Sequence, residues 1–343
     1  MNILILGVQV PYVRGGAEIL TQSLKEKIQS EGHRVDIVTL PFRWIPKAEL
    51  IKNCLAWRLI NLDEINGEKI DRVIATKFPS YLIQHPNKVT WLVHQFREIY
   101  DLYNTRYTAF HNELRDNQVR EAIIKMDQEA LKESDPVYTI SQNVSNRLRT
   151  YNGVRSTPLY PPPHMGDRYG CDSYGDFVLY VGRLEGNKRP ELLVAAMAHI
   201  PNRFSCVMVG AGSMRKRLDD MAEQEGVTSR VRFAGEIDDA TLLDLYARCG
   251  CVFYGPIDED YGYVTVEAMK SRKPVVTCTD SGGTLEFVKD KVTGLVTSTQ
   301  PEDIASAVTR LLDDSAFAKG LGEAGAESVA GIGWRRVLEG LLA

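Results

Sequence analysis

The sequence predicts an α/β protein built from two Rossmann-like domains, and three observations predict it. The chain has 343 residues, beyond the ~250–300 at which a single core stops growing. Short apolar runs alternate with helical patterns along its length, as parallel sheets require. Near the middle, Thr157-Pro-Leu-Tyr-Pro-Pro-Pro-His164 and the polar stretch 166–175 interrupt the alternation, because proline withholds the donor that helix and sheet both need. The boundary is placed at 161–176.

In the first half, strands are expected at 2–7, 34–39, 72–75, 89–93 and 137–140. An amphipathic helix is expected over 16–30 and a long polar helix over about 105–132. After the break, strands are expected at 177–181, 204–209, 231–234, 252–254 and 274–278, with helical patterns between them. Open parallel sheets bind ligands at the carboxyl ends of their strands. Two in tandem are expected to face each other across a cleft.

Composition narrows the function. Hydrophobic residues make up 44% and charged residues 25%, ordinary for a globular protein. No run approaches 18 apolar residues, so no transmembrane helix is expected. The opening Met-Asn-Ile-Leu-Ile-Leu-Gly lacks a basic leader and reads as a strand rather than a signal peptide. The net charge is -4 but uneven. Up to Met165 there are 21 Lys and Arg against 18 Asp and Glu, a balance of +3; the remaining 20 against 27 give -7. A uniformly basic nucleic-acid binder would not read this way. Cysteines 54, 171, 206, 249, 251 and 278 sit mostly in apolar contexts. They lack zinc-ligand spacing and read as core thiols in a reducing cytoplasm.

Several loops at expected strand ends carry groups suited to a nucleotide sugar. Val181-Gly-Arg-Leu-Glu-Gly-Asn-Lys188 places Gly182, Arg183 and Lys188 between a strand and a helix starting near Pro190. Two cations beside a helix N-terminus suit a diphosphate, although a solvated loop reads equally well. Val209-Gly-Ala-Gly-Ser213 is a second strand-to-helix turn, in which Gly210 permits close approach and Ser213 is expected to cap the helix. The most specific stretch is Glu259-Asp-Tyr-Gly-Tyr-Val-Thr-Val-Glu267. Gly262 suits a tight turn before a helix, with Glu267 about one turn inside it. Carboxylates accept hydrogen bonds from vicinal hydroxyls; a salt-bridged acidic loop is the plainer reading. Thr279-Asp-Ser-Gly-Gly-Thr-Leu-Glu286 is a further glycine-containing rim loop. In the first half, Gly15-Gly16 opens a helix without a GxGxxG fingerprint, which disfavours nicotinamide. His94 follows a strand and is directed at the cleft, though a lone histidine is more often structural.

Together these residues resemble the retaining glycosyltransferases of family four, which have the GT-B fold. The resemblance spans nearly the whole chain and is most specific from Phe177 to Leu312. It rests on Gly182-Arg183 with Lys188, Val209-Gly-Ala-Gly, Phe233-Ala-Gly-Glu-Ile237, the Glu-x-x-Gly-x-x-x-x-Glu stretch, and Ala268-Met269 running into Arg272-Lys-Pro-Val-Val276.

The resemblance implies an acceptor-side domain over 1–165 and a nucleotide-sugar-binding domain over 166–330. A final helix over 331–343 would cross back to the first domain. It implies that Arg183 and Lys188 bind the donor diphosphate, Glu267 the ribose, and Glu259 the transferred sugar, with backbone near Gly262. Ile237 would meet the base. Gly16 would let its loop approach phosphate and acceptor, and His94 would lie near the sugar's reactive face. Tyr261 and Tyr263 depart from the usual phenylalanine and aliphatic residue, and each is expected to add a hydroxyl to the sugar pocket.

The expected activity is metal-independent, hexosyltransferase-like and retaining, in polysaccharide or glycoconjugate biosynthesis. No cofactor is expected beyond the nucleotide-sugar substrate. No metal is expected either, although Asp258-Glu-Asp260 spells a DxD. The acceptor is a glycan, a lipid-linked sugar or a small molecule. The stretch 41–58 mixes cations with Trp44 and Trp57. It is read as a contact with the inner membrane face or as a helix packed on the first sheet. The alternative functions are a nucleotide-sugar epimerase of the same fold and a non-catalytic nucleotide-sugar-binding protein. No nucleic-acid partner is expected.

Overall fold

A computed structural model describes residues 1–11 and 15–343. The chain divides into two compact units, Met1–His164 with Gly333–Ala343, and Met165–Ile332.

The first unit runs β1 (Asn2–Gln9), α1 (Gly16–Ser30), β2 (Arg34–Pro41), α2 (Ala48–Leu59), a small hairpin of β3 (Glu64–Ile65) and β4 (Glu68–Lys69), β5 (Arg72–Ala75), β6 (Lys88–Leu92), α3 (Leu114–Lys132), β7 (Val137–Thr139), α4 (Gln142–Asn152) and β8 (Thr157–Pro158). Six of these strands form one parallel sheet, ordered β2-β1-β5-β6-β7-β8. β1 lies inside it and is buried from Ile3 to Val8, hence its continuous apolar sequence. On α1, the buried Leu20, Leu24 and Ile28 fall four residues apart on one face.

The second unit runs β9 (Phe177–Val181), α5 (Pro190–Met197), β10 (Ser205–Val209), α6 (Arg215–Gln224), β11 (Val231–Gly235), α7 (Asp239–Arg248), β12 (Cys251–Phe253), α8 (Tyr263–Lys270), β13 (Val275–Cys278), β14 (Gly294–Thr297), α9 (Pro301–Asp313) and α10 (Ser315–Ser328). Its strands are all parallel, ordered β11-β10-β9-β12-β13-β14. Counted from the unit's own first strand, this is the 3-2-1-4-5-6 order of a doubly wound nucleotide-binding sheet. The order reverses between β9 and β12, so a ligand crevice is expected at their carboxyl ends.

After α10, α11 (Trp334–Leu342) rejoins the first unit. Arg72 donates to the Leu341 and Ala343 carbonyls at 2.8 and 2.7 Å. A side chain at Gly340 would press on Leu159 and Tyr138.

Several expectations change. The long polar helix starts at Leu114, not near Thr105. Asn104 has a positive φ of 58°, and buried Phe110 anchors an irregular loop. Helix α4 emerges from a polar stretch; Ser141 Oγ accepts from the Val144 amide at 3.0 Å and Gly153 ends it at a φ of 66°. The boundary region is not simply a linker: Tyr169 is buried, and the Asp172 and Gly175 amides bond to carbonyls of Ala247 and Arg248. Strand β14 also lies beyond the elements expected.

Stretch 41–58 forms the turn into α2 and the helix itself. Trp57 is buried, and Trp44 stacks on Phe42 at 5.9 Å. Lys47 pairs with buried Asp116 at 2.6 Å and Arg58 with Glu133 at 2.5 Å.

Asp127 on α3 is fully buried, and the Tyr100 hydroxyl donates to it at 2.6 Å. Burial pushes its carboxyl up from the usual 3.8 to about 7, against the opposing effect of the tyrosine hydroxyls. Tyr81, Tyr100 and Cys54 neighbour it, and burial raises each of them too. The folded state therefore holds a proton that the unfolded state releases between pH 4 and 7. Stability from this group is complete below pH 4 and is lost as pH rises through 7, on the order of 4 kcal/mol. Asp127→Asn is expected to melt higher than the parent at pH 8, with the difference shrinking towards pH 5 in parallel thermal melts.

Candidate active site

The carboxyl ends of β9 to β13 carry the candidate residues of the second unit. After β9 and β10, two loops interlock. The Gly182 amide donates to the Val209 carbonyl at 3.0 Å and the Leu184 amide to Ala211 at 2.9 Å. Gly210 has a φ of 125°, and a Cβ there would overlap the Gly182 carbonyl. A Cβ at Gly212 would overlap the Leu184 backbone. Glycine is required here for both conformation and room.

Ser213 does not cap α6. The helix begins at Arg215 after Met214, without a side-chain cap. Ser213 donates instead to Glu185, from its amide at 2.9 Å and its hydroxyl at 2.6 Å. Burial alone would raise the Glu185 carboxyl. The two Ser213 bonds and the nearby Arg183 charge hold it below the usual range.

Lys188 and Glu259 are adjacent, 71 residues apart in sequence. Lys188 Nζ bonds to Glu259 Oε2, and the Tyr254 hydroxyl donates to the same oxygen at 2.9 Å. Both charged side chains are largely withdrawn from water, at 15% and 13% exposure. Burial, with Glu259 alongside, keeps Tyr254 a neutral donor. Arg183 is exposed and forms no ion pair among the described residues, so its charge faces solvent.

The Glu259 loop is fixed from two sides. Asp258 and Glu259 amides donate to Asp280 and Ser281 carbonyls at 2.8 and 3.2 Å, and the Gly283 amide returns a bond to Glu259 at 2.7 Å. From below, buried Arg189 bonds to the Gly255 and Pro256 carbonyls at 2.7 and 2.9 Å. It also grips Asp280 through both oxygens, at 2.7 and 2.6 Å. Sequence reading missed Arg189. It follows Lys188 directly and precedes a helix-starting proline, the one available signal of a turn held in place.

Gly262 caps α8 at a φ of 82°. Its surroundings include Thr265 Oγ1 and Thr284 Oγ1, both buried and without a partner among the described residues. Tyr261 and Tyr263 meet edge to face at 5.0 Å. The Tyr263 hydroxyl is buried and has no partner among the described residues. Glu267 lies in the second turn of α8, 7% exposed, and accepts from the Tyr246 hydroxyl at 2.9 Å. Ile237 is half-buried between β11 and α7, where Asp238 caps the helix by accepting from the Thr241 amide at 2.8 Å.

Two candidates lie in the first unit. Gly16 is the first residue of α1, preceded by Gly15, whose amide donates to Glu18 at 2.9 Å. His94 follows β6, two residues past its end, with Nδ1 2.6 Å from the Gln95 carbonyl. That bond requires a proton on Nδ1. No group of three His, Cys, Asp or Glu side chains converges as a metal set among the described residues.

Two six-stranded parallel sheets, the second carrying cations, carboxylates and glycines at its switch point, are the architecture of the GT-B fold. Residues 169–328 match the family glycosyl transferases group 1, and together with the relatives this match supports a GT-B glycosyltransferase of that group. It is 25% identical to an uncharacterized glycosyltransferase of Methanocaldococcus jannaschii, over 90% of this chain and 87% of that one. A D-inositol 3-phosphate glycosyltransferase of Corynebacterium aurimucosum is 28% identical over 72% of this chain and 66% of its own length. In fold, sucrose-phosphate synthase from Thermosynechococcus elongatus superposes with a TM-score of 0.80 at 22% identity, covering 100% and 98% of the two chains. Anabaena HepE superposes at 0.73 and 17% identity, with the same coverage.

Gly210→Ala is expected to lower the melting temperature, because a Cβ must displace the Gly182 backbone; strain of this kind costs about 1–3 kcal/mol. Gly186→Ala, with open space at its Cβ, is expected to cost far less. Paired calorimetric melts check the contrast.

Proposed function

We propose that the chain transfers a hexosyl group from a nucleotide-diphosphate sugar to a hydroxyl acceptor with retention of anomeric configuration, without a metal ion. The observation that carries this reading is the Lys188–Glu259–Tyr254 cluster beside the helix N-terminus at Gly262, in the β9–β12 crevice. Structures of Anabaena HepE hold UDP, UDP with glucose, and UDP-glucose; this supports a nucleotide-sugar donor for the present chain.

In this reading, Arg183 and Lys188 neutralise the diphosphate. Preorganised charge matters most where charge develops, on the leaving group as the anomeric carbon gains oxocarbenium character. Glu259 accepts from hydroxyls of the transferred sugar, and the backbone amides near Gly262 assist. Gly182 and Gly210 keep the two loops close enough for backbone to approach phosphate. Glu267, steadied by Tyr246, takes the ribose hydroxyls, and Ile237 lies against the base. Tyr261 and Tyr263 shape the sugar pocket. Gly16 and His94 serve the acceptor-side half, Gly16 by leaving room and His94 at the sugar's reactive face. The acceptor attacks on the face the leaving group vacates, since no side chain is assigned as covalent nucleophile.

A peripheral membrane contact through 41–58 is a second element of the proposal. Within that stretch Ile45 and Leu55 are 66% and 48% exposed, and Leu59, directly after it, is 82% exposed, alongside exposed Arg43 and Lys52. Lipid-linked acceptors would then be within reach. Trp57 takes no part, being buried.

Arg183 is the cleanest test, because its side chain is exposed and forms no ion pair among the described residues. Arg183→Ala is expected to keep the parental melting temperature while turnover of the preferred donor falls about 100- to 1000-fold, equivalent to 2.7–4 kcal/mol. Unchanged turnover would remove its role. A thermal-shift screen of UDP-, GDP- and ADP-sugars identifies the donor: ligand at about 100 times its dissociation constant adds roughly 2.7 kcal/mol. Activity is expected to survive EDTA; complete loss with recovery on adding manganese or magnesium would contradict metal independence. Co-sedimentation with vesicles is expected to rise with anionic lipid and to fall in Leu55→Gln/Leu59→Gln.

A further inference from the structure

The segment before β9 carries a side-chain cluster that sugar transfer does not use. Lys273, directly before the proline that leads into β13, is fully buried. Its ammonium contacts the Ser173 carbonyl, donates to Cys171 Sγ at 3.1 Å, and lies 4.3 Å from the centre of the Tyr174 ring. No carboxylate pairs with it among the described residues. A buried charge is costly unless it is paired. The carbonyl and the ring are neutral, so the sulfur is the one contact able to hold a full negative charge.

Cys171 also differs from the other five cysteines. Those are buried, whereas Cys171 is half-exposed. Burial pushes the thiols of Cys54, Cys206, Cys249, Cys251 and Cys278 up, Cys249 to about 12. They are therefore protonated and shielded at neutral pH. The titratable and charged groups around Cys171 and Lys273 are Tyr174 on the same segment, Cys249 at the end of α7, Cys251 on β12, Arg272, and Glu323 on α10. Tyr174 is held neutral by burial and by Cys171 itself. Arg272 and Glu323 oppose each other in sign.

We infer that Cys171 and Lys273 form a thiolate–ammonium pair, and that Cys171 is the peroxide-reactive thiol of this chain. Thiolates beside a cation are the reactive form of cysteine. In the reaction the sulfur attacks one oxygen of hydrogen peroxide. The S–O bond forms as the O–O bond breaks, the peroxide is reduced, and cysteine is oxidised by two electrons to a sulfenic acid. The departing hydroxide takes a proton from solvent and leaves as water. A thiol reductant reverses the step. The location gives the modification a route to the donor site. The Asp172 and Ser173 amides donate to the Ala247 carbonyl at 2.9 and 3.2 Å, next to Tyr246, which holds Glu267. The inference itself stands on thiol chemistry and is independent of the donor assignment.

The test uses the whole native chain. Limiting iodoacetamide is applied at neutral pH, and labelling is quantified at each cysteine by peptide mass spectrometry; hydrogen peroxide is then applied with dimedone present. Cys171 is expected to label about tenfold or more faster than any other cysteine. Dimedone is expected on Cys171 alone. Lys273→Met, close in volume, is expected to slow labelling and sulfenic acid formation at Cys171 about tenfold. Should that variant melt early, the distribution of dimedone on the parent decides. Equal labelling of all six cysteines, or dimedone absent from Cys171, overturns the inference.

Discussion

The guanidinium of Arg189 is the interaction on which the second unit's site depends. It is buried, and it ties three strand ends together: its own loop after β9, the Gly255–Pro256 carbonyls after β12, and Asp280 after β13. Charge-assisted, bidentate bonds of this kind fix orientation as well as distance. The loops they secure are those carrying Lys188 and Glu259. Without that anchor, a lysine and a glutamate on separate loops would lose side-chain entropy on meeting, for little gain in water. Held by backbone, they meet at 15% and 13% exposure, where opposite charges interact more strongly.

Around this anchor, glycine supplies the space. Gly210 and Gly212 allow the β10 loop to lie directly on the β9 loop, and Gly282 and Gly283 do the same for the loops after β12 and β13. Backbone amides at the rim are thereby packed against one another instead of being separated by side chains. The 3-2-1-4-5-6 strand order then places this packed rim where the sheet's winding reverses. Fold and site are consequences of one arrangement in this unit.

Acidic side chains illustrate how environment assigns roles. Glu267 is buried yet bonded to the Tyr246 hydroxyl, and Glu185 is held low by Ser213 and Arg183. Asp127, in the first unit, is enclosed with only hydroxyl donors and rises to about 7. A carboxylate with an amide, a hydroxyl and a cation beside it stays an acceptor, as Glu185 does, whereas Asp127, with hydroxyls alone, holds its proton in the core.

Much of the architecture was legible in the sequence, since apolar periodicity is a local property. Strands 72–75 and 177–181, helix 16–30 and the turn at Gly262 appear where period and glycine placed them. The placement of Lys188 and Glu259 on rim loops and of Glu267 one turn into α8 follows from local spacing. What periodicity could not carry was decided by partners distant in sequence. Ser213 looks like a cap, yet turns to Glu185, because an interlocked loop brings that carboxylate to it. Arg189, Tyr246 and the Cys171–Lys273 pair acquire meaning only from neighbours 66, 21 and 102 residues away. Local pattern fixes which way a chain runs; the contacts that place charge beside charge belong to the packed sheet alone.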